Sequence, residues 1–109
     1  MKRRLKSFPL YKPKERDSEY VGTERIWQLV GETCADVQPV DNALVRAEYG
    51  ERADNMRILY IMDSSADIQP GYGAFPLLKN GNPAYKIVSV KRYPMHVVAV
   101  AERTVTTDS

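Results

Sequence analysis

The feature that most constrains the fold of this chain is a series of short stretches in which apolar residues alternate with others. The clearest of these span residues 24–37, 55–63, 84–92 and 96–103, and turn-forming residues separate them. Side chains of a strand point alternately to two faces, so this alternation predicts β-strands. Weaker candidates lie at 73–79 and at Leu5–Tyr11. We therefore expect a mainly β protein, a small barrel of about six short strands, because closure removes exposed strand edges.

Two local features refine this expectation. Pro39 stops the strand over 24–37, Asp41 can cap a helix, and Gly50 ends that helix, which predicts one short helix of about two turns. Gly31 predicts a bend or bulge in the strand that contains it. We expect the residues at every second position of that strand to share one face: Trp27, Leu29, Gly31, Thr33, Ala35 and Val37.

The chain of 109 residues is long enough for a single domain. Seven of its basic residues lie within the first 16 positions, where Glu15 is the one acidic residue: Lys2, Arg3, Arg4, Lys6, Lys12, Lys14 and Arg16. Residues 1–23 also contain Pro9, Pro13 and Gly22, which interrupt any regular period. We expect an extended basic N-terminal arm over 1–23, a β-barrel domain over 24–103 and a flexible tail over 104–109.

Composition excludes several classes of protein. The net charge of +2 is too small to indicate a nucleic-acid partner by itself. The longest apolar run, 95–101, is far shorter than the roughly 20 residues of a membrane-spanning helix, so we expect no membrane association. The single cysteine rules out an intrachain disulfide, and the sequence shows no export signal, so we expect an intracellular setting.

The sequence contains no convincing catalytic pattern. A nucleophilic site would need Cys34 or a serine beside His96, but we expect Cys34 to be a packed thiol and His96 a surface imidazole. One histidine and one cysteine do not make a zinc site, and we expect Asp63 and Asp67 to serve in turns. Gly71-Tyr72-Gly73 is half of a dinucleotide-binding motif without a helix after it. We expect no enzymatic activity, no catalytic residue, no cofactor, no metal and no small-molecule substrate.

The basic arm leaves a nucleic-acid partner open. Phe8, Tyr11 and Tyr20 are interleaved with its lysines and arginines, and proteins that bind single strands combine charge with aromatic stacking in this way. The alternative function is therefore a small β-barrel that binds nucleic acid through its arm. A segment that is solvated or docked on a partner protein explains the same charges.

The order of the elements resembles that of the head-closure proteins of tailed phages, also called head-tail connector or minor capsid proteins. The resemblance covers about residues 26–103 and is carried by four segments: Ala35-Asp36-Val37-Gln38-Pro39, Ile68-Gln69-Pro70-Gly71, Tyr85-Lys86-Ile87-Val88-Ser89-Val90 and Ala101-Glu102-Arg103. The family typically has an aspartate after the turn glycine, where this chain has Tyr72.

This resemblance implies a structural protein of the virion neck, present in the host cytoplasm during assembly. Its subunits would form a homo-oligomeric ring between the portal and adaptor proteins and the tail proteins. The ring would help to retain packaged DNA, which it would contact in the channel without sequence specificity.

The resemblance also implies where contacts would occur. It places residues 41–54 near the channel or at the boundary between subunits. As a hypothesis, Arg46, Glu48, Glu51 and Arg52 make interface or channel contacts there, and the arm residues Arg3, Arg4 and Lys6 dock on a neighbouring subunit or on the adaptor ring.

Overall fold

The computed structural model describes residues 5–18, 22–40, 43–79 and 81–104, and it contains six strands. They close into an antiparallel barrel in the order β1-β2-β3-β6-β5-β4, which confirms the predicted small β-barrel with one short helix. The elements in chain order are β1 (Leu5–Ser18), β2 (Gly22–Pro39), α1 (Ala43–Tyr49), a 3-10 helix (Gly50–Asn55), β3 (Met56–Ile61), β4 (Gly73–Leu77), β5 (Pro83–Arg92) and β6 (Val97–Arg103).

The described part of the predicted N-terminal arm is a strand. Residues 5–18 form β1, which pairs with β2 along its whole length and with β4 at Leu10 and Tyr11. Pro9 and Pro13 lie where β1 has β2 as its one strand partner, and a proline is tolerated there because its missing N–H can face away from the ladder. The boundary expected between residues 23 and 24 therefore falls inside a continuous hairpin. The expected tail lies outside the described residues except for Thr104, whose hydroxyl donates to the carbonyl oxygen of Pro83.

A bulge divides β2 into two parts. Leu10 pairs with Gly31 and Tyr11 pairs with Leu29, so Val30 has no partner in β1. This confirms the predicted bulge at Gly31, whose φ of +152° is a conformation that glycine adopts more readily than other residues. The extra residue shifts the alternation by one position. The prediction that Trp27 and Leu29 share a face with Thr33, Ala35 and Val37 is therefore wrong, because the bulge places them on the opposite face.

Two apolar clusters pack on opposite faces of β3 and its neighbours. The barrel interior contains Phe8, Leu10, Leu59, Ile61 and further residues from the remaining strands. The outer cluster places Val40, Ala53, Met56 and Ile58 together beneath the segment that precedes β3. β3 is therefore buried on one face and partly covered on the other.

One end of the β1-β2 hairpin leaves the barrel. Residues 12–18 of β1 have β2 as their partner strand, and β2 pairs with β3 at residues 36–39. We call residues 11–18 of β1 together with residues 22–29 of β2 the ribbon. Eight residues of strand span about 26 Å, and the longest dimension of the protein is 53 Å against 31 and 21 Å for the others. The ribbon is thus a projection from the barrel.

Candidate interaction surfaces

Within β1, the charges of opposite sign lie on opposite faces of the ribbon. Lys12, Lys14 and Arg16 occupy alternate positions of β1 and therefore share one face, while Glu15 and Asp17 lie on the other. Residues directly opposite each other in the ladder share a face, so Gln28 and Ile26 of β2 join the lysines. We call the side that carries the two lysines and Arg16 the basic face.

The root of the ribbon is fastened to the barrel on the other face. The indole Nε1 of Trp27 donates a hydrogen bond of 3.2 Å to Oδ1 of Asn82 in the turn between β4 and β5. Trp27 lies opposite Pro13 in the ladder and is half-buried. Leu29, which pairs with Tyr11, stays 58% exposed. The second face therefore carries apolar surface near the barrel.

A groove opens where β2 and β3 separate. The two strands pair from Asp36–Tyr60 to Pro39–Arg57, and no strand pairs with residues 31–35 on the side away from β1 within the described chain. The groove has a volume of about 500 Å³. Buried Leu10 and Ile61 contribute its apolar part, together with half-buried Val30. The result is an apolar depression beside an unpaired strand edge.

Three carboxylates border the groove. Asp63 accepts hydrogen bonds from the backbone N–H of Ser65 at 2.9 Å and from its hydroxyl at 2.6 Å, and these bonds hold the pKa of Asp63 below its usual value. Asp67 accepts a bond of 3.2 Å from the hydroxyl of Tyr72, and Glu32 accepts one of 3.1 Å from Ser7. Burial and the nearby Asp67 raise the pKa of the Tyr72 hydroxyl. We call Glu32, Asp63 and Asp67 the acidic rim.

These donors are neutral, so none of the described hydrogen bonds places a positive charge against the acidic rim. No lysine or arginine is among the described residues that line the groove. Arg92 contacts the loop that carries Asp63 and Asp67, where its guanidinium donates to the carbonyl oxygens of Ile68 at 2.7 Å and of Ser64 at 3.5 Å. The turn role expected for Asp63 is confirmed by its bonds to Ser65, but the sequence did not indicate that it borders a groove.

Two of the predicted contact residues hold the 43–55 segment to its own chain. Arg46 forms an ion pair of 2.7 Å with Asp54 and donates a bond of 3.1 Å to the carbonyl oxygen of Val40. Arg52 makes two bonds to the carboxylate of Glu102, at 2.7 and 2.8 Å, and lies over the ring of Tyr49. The guanidinium lowers the pKa of Glu102, and the same contact raises the pKa of Arg52.

The other predicted contact residues are placed as follows. Glu48 and Glu51 are exposed on α1 and on the 3-10 helix. Lys6 is exposed near the start of β1 and pairs with Ala35. Arg3 and Arg4 lie outside the described residues, as does Asp41. The structure thus describes five of the seven hypothesised interface residues, and their role at an interface stays a prediction.

Cys34 and His96, the two candidates for nucleophilic chemistry, lie in different parts of the fold, β2 and the turn between β5 and β6. Cys34 lies in β2 and is exposed, so the expectation of a packed thiol is wrong. It lies opposite Ser7, on the face of β2 away from Thr33 and Ala35, where β3 has already separated. The His96 ring stacks on Tyr93 with 4.8 Å between ring centroids. It is half-buried rather than fully on the surface.

Neither a metal centre nor a membrane-spanning helix is found among the described residues. They contain no group of three or more histidine, cysteine, aspartate and glutamate side chains arranged to hold a metal ion. None of the helices in this part of the chain has the length and apolar character that crossing a bilayer requires. Comparisons with known protein families, with curated proteins and with solved structures gave no match. Fold and surfaces together define a small closed β-barrel with a charged ribbon and an acid-rimmed groove.

Proposed function

We propose that this chain is a structural subunit of a tailed-phage neck. It assembles into a ring between the portal and adaptor proteins and the tail, and the ring helps to retain packaged DNA. The role needs no catalytic residue, cofactor or small molecule. Its place is the virion neck, and the host cytoplasm during assembly.

The observation that carries this proposal is the combination of a closed barrel with a projecting ribbon. Each strand of the barrel pairs with two neighbours, while β2 at the groove and β1 along the ribbon have no further strand partner among the described residues. A subunit of this kind has a rigid body and two distinct surfaces for contact with neighbours. The order of its elements, from β2 through α1 to β6, also agrees with the order on which the resemblance to head-closure proteins rests.

Deletion of the gene from the phage or prophage that carries it tests the proposal. We expect lysates that contain heads which have lost their DNA beside separate, finished tails, as seen by negative-stain microscopy. Expression of the chain from a plasmid should restore complete virions. Intact virions from the deleted phage would contradict the proposal.

A second candidate function, binding of nucleic acid, is favoured by the basic face of the ribbon. The major groove of B-form DNA accepts a two-stranded β-ribbon, and lysines on one face can contact phosphates. Affinity for duplex DNA would then fall with salt, and the Lys12→Ala, Lys14→Ala variant would show a slope smaller by about 0.9 for each phosphate that it no longer neutralises. A neck subunit, by contrast, should show little affinity for free DNA.

A further inference from the structure

The acidic rim and the basic face are complementary surfaces on one molecule. The rim consists of Glu32, Asp63 and Asp67, whose described partners are neutral hydroxyl and amide groups. The basic face carries Lys12 and Lys14 at alternate positions of an extended strand, about 7 Å apart. Surfaces of opposite sign attract and orient partners. The groove thus matches a basic extended segment better than an acidic one.

The lysines of the basic face are not part of the groove of their own molecule. β2 runs without interruption from the ribbon, through the bulge at Val30, into the wall of the groove. Neither Lys12 nor Lys14 is among the described residues that line this groove. The groove is thus open to a basic ribbon from another molecule.

The shapes of the two surfaces also correspond. Within the described residues, positions 31–35 of β2 present an edge without a partner strand, and positions 12–18 of β1 present a second unpaired edge along the ribbon. An extended strand can add to an exposed sheet edge through backbone hydrogen bonds, with side chains supplying specificity. The apolar residues Leu10, Val30 and Ile61 offer surface that such an addition would cover.

We propose that the ribbon of one copy docks in the groove of a second copy, with Lys12 and Lys14 against the acidic rim. Such a contact joins two different surfaces, so each molecule both gives a ribbon and receives one. Contacts of this kind form rings when the rotation between copies closes and open chains when it does not. The inference deepens the proposed neck function, on which its ring form rests, by naming the surfaces that join the subunits.

Charge exchange in the purified full chain tests the contact. One variant carries Lys12→Glu and Lys14→Glu, and the other carries Glu32→Lys and Asp67→Lys. In either variant alone, the ribbon and groove have the same sign, so we expect self-association measured by sedimentation velocity to weaken by at least about tenfold. In an equimolar mixture each ribbon again meets a groove of opposite sign, so assembly should return. A variant with Lys79→Glu and Lys91→Glu provides the same charge change elsewhere and should associate like the wild type.

The single cysteine of the chain supplies a second test. Cys34 is exposed and lines the groove, so its alkylation by a thiol reagent should slow as the protein concentration rises. In the Lys14→Cys variant, oxidation should join position 14 of one copy to position 34 of the next. Because each copy then has two linkage points, we expect a ladder of dimers, trimers and longer species on a non-reducing gel, whereas the wild type stops at dimers.

Several outcomes would overturn the contact. These are a mixture of the charge variants that stays dissociated, a cross-linking pattern that stops at dimers, or self-association unaffected by either variant. If the lysine variant loses DNA affinity while its self-association is unchanged, the basic face serves nucleic acid instead. The neck function is tested separately by the phenotype of the gene deletion. If the charge exchange succeeds but the deleted phage still makes intact virions, the contact between copies is supported and the neck function is contradicted.

Discussion

Two neighbouring positions of the barrel show how closely its backbone is packed. A Cβ atom on Gly73 would overlap the ring of Pro83, whose side chain is fully buried. Gly73 pairs with Tyr11 of β1 and with Lys86 of β5, so the surrounding backbone is held on both sides. Glycine is required at position 73 because the ring of Pro83 lies so close to it, and not because the backbone has an unusual φ.

We expect Gly73→Ala to lower the free energy of unfolding by about 1–3 kcal/mol, the usual cost of forcing an extra carbon into a packed site. Denaturant unfolding followed by far-UV circular dichroism measures this cost. The Pro83→Gly variant provides the control, because removal of the ring removes the atoms that the new methyl group would meet. If Gly73→Ala costs the same with and without this second change, the overlap with Pro83 is not the cause.

Methionine side chains offer a second comparison at the scale of single residues. Met56 is completely buried in the outer cluster, while Met95 in the turn between β5 and β6 is 77% exposed. We expect Met56→Ala to cost about 2–5 kcal/mol in unfolding free energy because it leaves a cavity. The matched variant, Met95→Ala, should change stability by less than about 0.5 kcal/mol. Equal losses in a thermal or chemical unfolding experiment would show that the 43–55 segment does not cover β3 in solution.

Among the elements, the 43–55 segment depends on acidic groups for its attachment. The hydrogen bond from Arg52 lowers the pKa of Glu102, so the folded state binds this proton less tightly than the unfolded state does. The stabilisation is then fully present above the unfolded pKa and is lost as the pH falls through the folded pKa. We expect the acid decline in stability to be less steep in Glu102→Gln than in the wild type. Unfolding midpoints measured between pH 7 and pH 3 test this, and Glu48→Gln, on the exposed side of α1, should follow the wild-type curve.

The elements also show what the sequence could and could not predict. The strands β3, β5 and β6 and the helix follow from alternation and turn residues alone. The length of β1 could not be predicted from the sequence, because Pro9 and Pro13 disrupt its alternating pattern. In the fold, pairing with β2 keeps the strand continuous through both prolines. The sequence did contain one indication of β1. Lys12, Lys14 and Arg16 lie at every second position, which is the period of a strand.

The candidate surfaces were harder to predict than the strands. The charges of the 43–55 segment suggested outside partners, but Arg46 and Arg52 bind Asp54 and Glu102, and the second of these acids is 50 residues away in the chain. The groove depends on where β2 and β3 stop pairing, which no local pattern encodes. Asp63 and Asp67 could therefore be recognised as turn residues, but not as part of a shared acidic rim with Glu32.

At the scale of the whole molecule, stability should be unevenly distributed. The barrel is closed and has an apolar interior, whereas the ribbon is a single ladder of two strands, and an isolated hairpin is marginally stable in water. Trp27, the single tryptophan of the chain, lies in the ribbon. We expect tryptophan fluorescence to change at a lower urea concentration than far-UV circular dichroism. Coincident transitions would mean that ribbon and barrel unfold as one unit.

A variant that removes the hydrogen bond between Trp27 and Asn82 provides the control for the prediction of two separate transitions. Asn82→Ala removes the side-chain acceptor at the root of the ribbon. The fluorescence transition should move to still lower urea, while the transition seen by circular dichroism stays close to its wild-type position. If both transitions shift together, Asn82 stabilises the barrel and not the ribbon alone.

The bulge at Val30 sets the angle between the ribbon and the barrel, so a small change there moves the far end of the ribbon by a large distance. One unpaired residue sets the angle at which a projection about 26 Å long leaves the barrel, and bulges bend and twist the strands that contain them. A change of about 20° at that point would move the far end by about 9 Å, more than the length of a lysine side chain. Deletion of Val30 would remove the bulge and therefore redirect the tip of the ribbon. A single codon in β2 can thus change the reach of the molecule.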